Sequence, residues 1–151
     1  MKIAVGNDHP AYELKCAVKK RLEERGHEVI DAGSHNAEST DYPIYGAAVG
    51  ELVASGEADL GVVMCGTGIG ISIAANKTPG VRAALCWNIT AARAAREHND
   101  ANVLAIGARL TASPLALDIL DAWLDAGFEG GRHARRVGQI SEMDARRSEG
   151  N

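Results

Sequence analysis

The sequence predicts an α/β chain, a sandwich of helices around a five-stranded parallel sheet. Five short apolar runs alternate with helical patterns, the run at residues 60–64 has no polar position, and glycines cluster where that run ends. Strands separated by helices favour parallel pairing through right-handed crossovers, and a wholly apolar strand suits a sheet covered on both faces. Binding sites in such sheets gather at the carboxyl ends of the strands.

Residues 2–6 form the first strand, which runs into Asn7-Asp8-His9-Pro10. A helical pattern through Leu14, Val18 and Leu22 follows and stops at Gly26. Residues 27–31 are the second strand, Asp41-Tyr42-Pro43 sits in a loop, and residues 45–54 are the second helix. The third strand, 60–64, leads through Gly66-Thr67-Gly68-Ile69-Gly70 into a helix ending near Ala75. Residues 81–86 make the fourth strand, 90–97 a helix and 103–106 the fifth strand. An amphipathic helix over 114–126 has Pro114 near its start, where the missing N–H costs nothing.

A single domain is expected over 1–151. From about residue 128 a polar tail with helical potential is too short for a second core, so it is expected to pack on another subunit.

At 151 residues the chain can bury roughly 68–70% of its unfolded surface, so it folds without staples. Aromatics at 4% leave the core to aliphatic side chains; Trp87, Trp123 and Phe128 read as packing residues. A net charge of -4 argues against a general nucleic-acid binder. No apolar run reaches the ~18 residues of a membrane helix, and the start lacks a signal-peptide pattern, so the expected location is cytoplasmic. Cys16, Cys65 and Cys86, odd in number and without CxxC spacing, fit reduced thiols better than disulfides or a metal site.

The strongest local signal is Cys65-Gly66-Thr67-Gly68-Ile69-Gly70, between a buried strand and a helix. A helix's positive end favours thiolate, and glycines let backbone N–H groups approach an anion. One loop could thus supply a base and a cradle for an enediolate oxyanion. The plainer alternative is a small buried hydrophobe followed by a tight turn. A nucleotide site lacks support, because the glycines read G-x-G-x-G, follow the third strand instead of the first, and no Gly-Lys-Ser/Thr completes a phosphate loop.

Asp8-His9 follows the first strand and brings a carboxylate and an imidazole to the sheet edge that carries Cys65. A helix N-cap beside a surface histidine would read the same. In Glu97-His98-Asn99-Asp100, His98 could move protons when a sugar ring opens and Asn99 could bind a hydroxyl, though Asn-Asp also makes ordinary turns. Arg132, His133, Arg135 and Arg136 form a basic knot behind Gly130-Gly131 whose planar forks match a phosphate monoester. A solvated basic face is its plainer reading. Tyr42 could flank a sugar or anchor the turn at Pro43.

Together these segments resemble the type B ribose-5-phosphate isomerases, within the family that includes galactose-6-phosphate and allose-6-phosphate isomerases. The resemblance runs from Met1 to about Ile140 and rests on Asp8-His9, Asp41-Tyr42-Pro43, the stretch from Cys65 to Lys77, the stretch from Arg96 to Leu104, and Gly130-Gly131-Arg132-His133. It implies a Rossmann-like α/β/α fold with a five-stranded parallel sheet. It implies a homodimer or a dimer of dimers with active sites shared between subunits, a small sugar phosphate as substrate, and neither cofactor nor metal.

By the same resemblance Cys65 is the base that shuttles a proton between C1 and C2, and Thr67 is the hydroxyl that assists it. The amides of Gly66, Gly68, Ile69 and Gly70 cradle the enediolate. His98 opens the ring, Asn99 binds a hydroxyl, and His9, Arg132 and Arg136 hold phosphate, with Asp8, Tyr42 and Arg109 lining the site. Some relatives use a glutamate farther along the helix; Ile71-Ser72-Ile73-Ala74-Ala75 contains no acid, so the thiolate version is implied. Two departures bear on which sugar fits. Asn7-Asp8-His9-Pro10-Ala11 stands where the family commonly has Ser-Asp-His-Ala-Gly, and Trp87-Asn88-Ile89-Thr90 falls in a variable region.

Overall fold

In the computed structural model, which describes residues 1–150, five strands form one parallel sheet. They are β1 (Lys2–Asn7), β2 (Glu28–Asp31), β3 (Leu60–Cys65), β4 (Ala83–Leu85) and β5 (Val103–Gly107), in the order β2-β1-β3-β5-β4. Every neighbouring pair is parallel. The central strand β3 is buried along its whole length, as its unbroken apolar run requires.

The pleat sorts side chains between two cores. Ile3, Val5, Val62, Met64, Leu104 and Ile106 face α1 (Tyr12–Glu24), α4 (Ile89–Asn99) and α5 (Ser113–Asp125), where Leu14, Val18, Leu22, Ile119, Leu120 and Trp123 meet them. Ala4, Val63, Cys65, Val103 and Ala105 face α2 (Tyr42–Ala54) and α3 (Ile69–Ala75) through Val49, Val53 and Ile71. Successive residues alternate between the two sets because a strand has a period of two. Trp123 is fully buried, and truncating such a side chain to Ala costs about 3–5 kcal/mol.

Four expectations need adjustment. Asp41-Tyr42-Pro43 is not a loop before a helix: Tyr42 opens α2, Asp41 is the extended residue before it, and Pro43 occupies the first turn, where proline is tolerated. His98 and Asn99 lie inside the last turn of α4, which closes at Asp100 in the left-handed region (φ 45°). The fourth strand shrinks to three residues at the sheet edge. Trp87 does not pack in the core, since it follows that short strand and is 52% exposed.

The tail is one continuous helix, α6 (Arg132–Glu149), whose single buried residue is His133. It lies along the amino edge of the sheet, where Asp144 accepts the Gly80 N–H at 2.8 Å. The last residue of the expected tail, Asn151, lies outside the described residues.

Candidate active site

A cleft of about 530 Å³ opens where β1, β3 and β5 end. Asp8, His9 and Pro10 enter it from β1, Cys65, Gly66 and Thr67 from β3, and Arg109 from the turn after β5. Ile69, Gly70 and Ile73 come from α3 and Tyr42 from the start of α2. The Asp8 N–H bonds the Met64 carbonyl, the Ala108 N–H the Cys65 carbonyl at 2.8 Å, and the Arg109 N–H the Gly66 carbonyl at 2.8 Å. Backbone pairing therefore continues past the sheet and fixes the three loops against one another.

Cys65 is buried on the cleft floor, and its Sγ accepts the Gly68 N–H at 3.1 Å. Negative charge gathering on that sulfur strengthens the bond. Gly68 has φ 76°, and a Cβ there would lie 2.8 Å from the Ile106 carbonyl carbon and 2.9 Å from Gly107 N, so only glycine fits. Thr67 is exposed beside it, its Oγ1 accepting the Ile69 N–H at 3.2 Å. Arg109 lies over Gly66, where a Cβ would be 3.4 Å from its guanidinium. Tyr42 covers Gly70 so closely that a Cβ there would come within 2.5 Å of the ring.

Asp8 is buried and its Oδ1 has no hydrogen-bond partner. Burial pushes its carboxyl above the usual range, while His9 and Arg109 pull against that shift. His9 Nδ1 is held by the Thr40 backbone, 3.2 Å from N and 3.3 Å from O, which leaves Nε2 unengaged.

The remaining four expected site residues lie elsewhere in the chain. His98 and Asn99 end α4 and so sit at the amino edge of the sheet, beside Asn102, whose carbonyl accepts the N–H of Gly61 near the start of β3. Arg132 and Arg136 open α6 at that same edge, both exposed. A six-residue strand spans about 20 Å, so the two groups are separated by roughly the height of the sheet.

At the amino edge the His98 and His133 rings stack with centroids 4.5 Å apart and planes 10° apart, and Glu129 faces both. The ligand atoms of these three residues lie within 4.8 Å of one another. Nearly parallel rings send their in-plane lone pairs side by side, whereas a metal needs them to converge at about 2.0–2.1 Å. The trio therefore suits proton sharing better than metal binding. Its members are partly legible in the sequence: His98 reads as a proton mover and His133 as part of the basic knot, whereas Glu129 has only the four-residue spacing to His133 as a signal. Ile73 was likewise missed in the cleft, although it lies one helical turn after Ile69.

The family model for Ribose/Galactose Isomerase matches residues 3–140. The chain is 51% identical to "Ribose-5-phosphate isomerase B" of Escherichia coli (strain K12) over 147 residues, covering 97% of this chain and 99% of that protein. It is 47% identical over 129 residues to "Galactose-6-phosphate isomerase subunit LacB" of Clostridium acetobutylicum, covering 85% of this chain and 75% of that one. The solved Clostridium thermocellum ribose-5-phosphate isomerase B superposes with a TM-score of 0.95 at 58% identity, over 97% of this chain and 99% of that chain. With a sheet, helices and sequence that all agree, the chain belongs to the ribose/galactose isomerase family.

Proposed function

We propose that this chain interconverts ribose 5-phosphate and ribulose 5-phosphate through a cis-enediolate, with Cys65 as the base. The observation that carries the mechanism is the Gly68 N–H on Cys65 Sγ at the floor of a cleft. In the open-chain aldose, Sγ takes the C2 proton and the electron pair moves through C1 onto O1. The Gly66–Gly70 loop is the cradle for that oxyanion, its Gly68 and Ile69 N–H groups resting on Cys65 Sγ and Thr67 Oγ1 until substrate arrives, and the Thr67 hydroxyl stands there to relay the proton between O1 and O2. Return of the proton from sulfur to C1 leaves the ketose. Oxidation at one carbon balances reduction at the next, so no outside electron carrier is required.

His98 serves as the ring-opening residue, Asn99 binds a sugar hydroxyl, and His9, Arg132 and Arg136 hold the phosphate. Asp8, Tyr42 and Arg109 line the pocket. The edge-to-edge separation of Cys65 from His98 and Arg132 supports a site completed by a second copy, in a homodimer or a dimer of dimers. Exposed Tyr42, Ile69 and Ile73 in the cleft, with Trp87 and Leu110 after β4 and β5 at the same sheet edge, supply apolar surface for that contact. No described helix is long and apolar enough to cross a membrane, and three free thiols, one of them the base, suit the reducing cytoplasm.

The second reading keeps the chemistry and changes the sugar: allose 6-phosphate, galactose 6-phosphate or an unphosphorylated rare sugar. Pro10 supports it, because this departure from the common family loop stands in the cleft itself. Ketose formation from ribose 5-phosphate, allose 6-phosphate, galactose 6-phosphate and free ribose, in excess EDTA, decides between them. Turnover favouring ribose 5-phosphate supports the first reading. Turnover confined to six-carbon or free sugars overturns the substrate and leaves the base in place.

A further inference from the structure

Glu129 faces the edges of two stacked imidazoles. Its Oε2 lies 3.5 Å from His133 Nε2 and 4.0 Å from His98 Nε2. The Glu129 N–H donates to the Glu97 carbonyl at 3.0 Å, so the segment is pinned to α4 one residue before His98. His133 is buried, its Nε2 lacks a hydrogen-bond partner, and its ring backs one face of the His98 ring. The other charges facing the pair are Arg132 and Arg136 of α6. Burial pulls the His133 imidazole below its usual range; His98 and Arg132 add to that shift, Glu129 opposes it, and Arg136 adds a little more.

We propose that Glu129 is a positioning residue for ring opening, its carboxylate accepting the His98 Nε2–H so that Nδ1 presents the lone pair to the sugar. The proposal rests on reading His98 as the ring-opening residue. The step balances within the substrate. The C1 hydroxyl proton passes to His98 Nδ1, C1=O forms as the C1–O4 bond breaks, and O4 keeps the electron pair. The imidazolium then returns one proton to O4, and the neutral ring and the open-chain aldehyde remain. Between the two transfers a positive charge sits beside Arg132 and Arg136, and Glu129 is the anion within reach of both Nε2 atoms. Contacts of this kind shorten when substrate is in place. The arrangement is the carboxylate–imidazole pairing that fixes a tautomer and steadies an imidazolium.

The test uses full-length Glu129→Gln, Glu129→Asp and His98→Ala. Ribose 5-phosphate turnover is measured from about pH 5 to pH 9, across the range where imidazole titrates, together with NMR of ¹⁵N-labelled histidine side chains. Glu129→Gln is expected to lower kcat by about 10–100-fold, the usual effect of removing such an orienting partner, with KM little changed. Without that acceptor the His98 ring loses its preference for Nε2–H, read from its ¹⁵N shifts, and the kcat–pH profile changes with it. Glu129→Asp restores part of both. A wild-type kcat and pH profile in Glu129→Gln overturns the proposal, and so does a lower kcat with unaltered His98 ¹⁵N shifts, which would mark a purely structural role. Wild-type turnover by His98→Ala would instead remove the ring-opening reading itself. An inactive His98→Ala beside a normal Glu129→Gln removes the role of Glu129 alone.

Discussion

The amide N–H of Gly68 is 3.1 Å from Sγ of Cys65, with the glycine held at φ 76° between Leu85 and the backbone of β5. Sulfur and donor are thus set by one tight turn, and the two can be separated by mutation. Cys65→Ser keeps the size and exchanges the proposed sulfur base for a hydroxyl, so ketose formation should fall by about 10²–10⁴-fold while thermal unfolding stays near wild type. Gly68→Ala should damage both, costing about 1–3 kcal/mol for the left-handed backbone and more for the clash with Ile106 and Gly107. Its activity loss should exceed what its unfolded fraction explains.

Tyr42 and Gly70 form a second test. A methyl at Gly70 would meet the Tyr42 ring at 2.5–2.9 Å, but that ring is 40% exposed and can swing outward. Gly70→Ala should therefore leave the denaturant midpoint nearly unchanged and raise KM, because the displaced ring no longer walls the cleft. Adding Tyr42→Ala to Gly70→Ala should cost less than the sum of the two single changes. Additive effects in this double-mutant cycle would show that the two residues do not share a role.

Burial raises the Asp8 carboxyl above its usual range, so the native state holds this proton more tightly than the unfolded chain does. Its contribution to stability is lost as pH rises from the unfolded value near 3.8 through the raised native one. Asp8→Asn should consequently be more stable than wild type at neutral pH, with the gain vanishing in acid below the ordinary carboxylate range. Turnover should fall in the same variant, since the carboxylate lines the cleft. Melting curves across pH measure the first effect and ketose formation the second.

Cys65 and His98 lie at opposite edges of one sheet, which makes subunit sharing testable by mixing. Cys65→Ala and His98→Ala should each be nearly inactive alone. In a dimer with shared sites, random reassortment places both native halves in one site of each mixed dimer, so an equimolar mixture should recover about a quarter of wild-type activity. Absence of recovery after verified subunit exchange would show that each site is built from a single chain.

The elements and their order were readable because their signals are local. Apolar stretches, a period near 3.6 in Leu14, Val18 and Leu22, and punctuation by Gly26, Pro43, Gly68 and Pro114 sufficed for five strands and their helices. The misplaced start of α2 has a local cause too: proline breaks a helix inside but opens one at its first turn, and the sequence pattern admits both.

By itself, the sequence determined the alternation of strands and helices, the glycine turn after β3, and the carboxylate, imidazole and thiol at strand ends. These follow from backbone preferences and chain direction, since each parallel strand delivers its last residues to one edge. Only the tertiary structure decided which groups share a space. It buried Trp123 and left Trp87 exposed, set Tyr42 against Gly70, and carried His98, Asn99, Arg132 and Arg136 to the edge opposite Cys65. It also set Glu129 against the Nε2 edges of two stacked imidazoles. The last of these depends on how α6 and the segment before it meet α4, a packing outcome that no local pattern encodes.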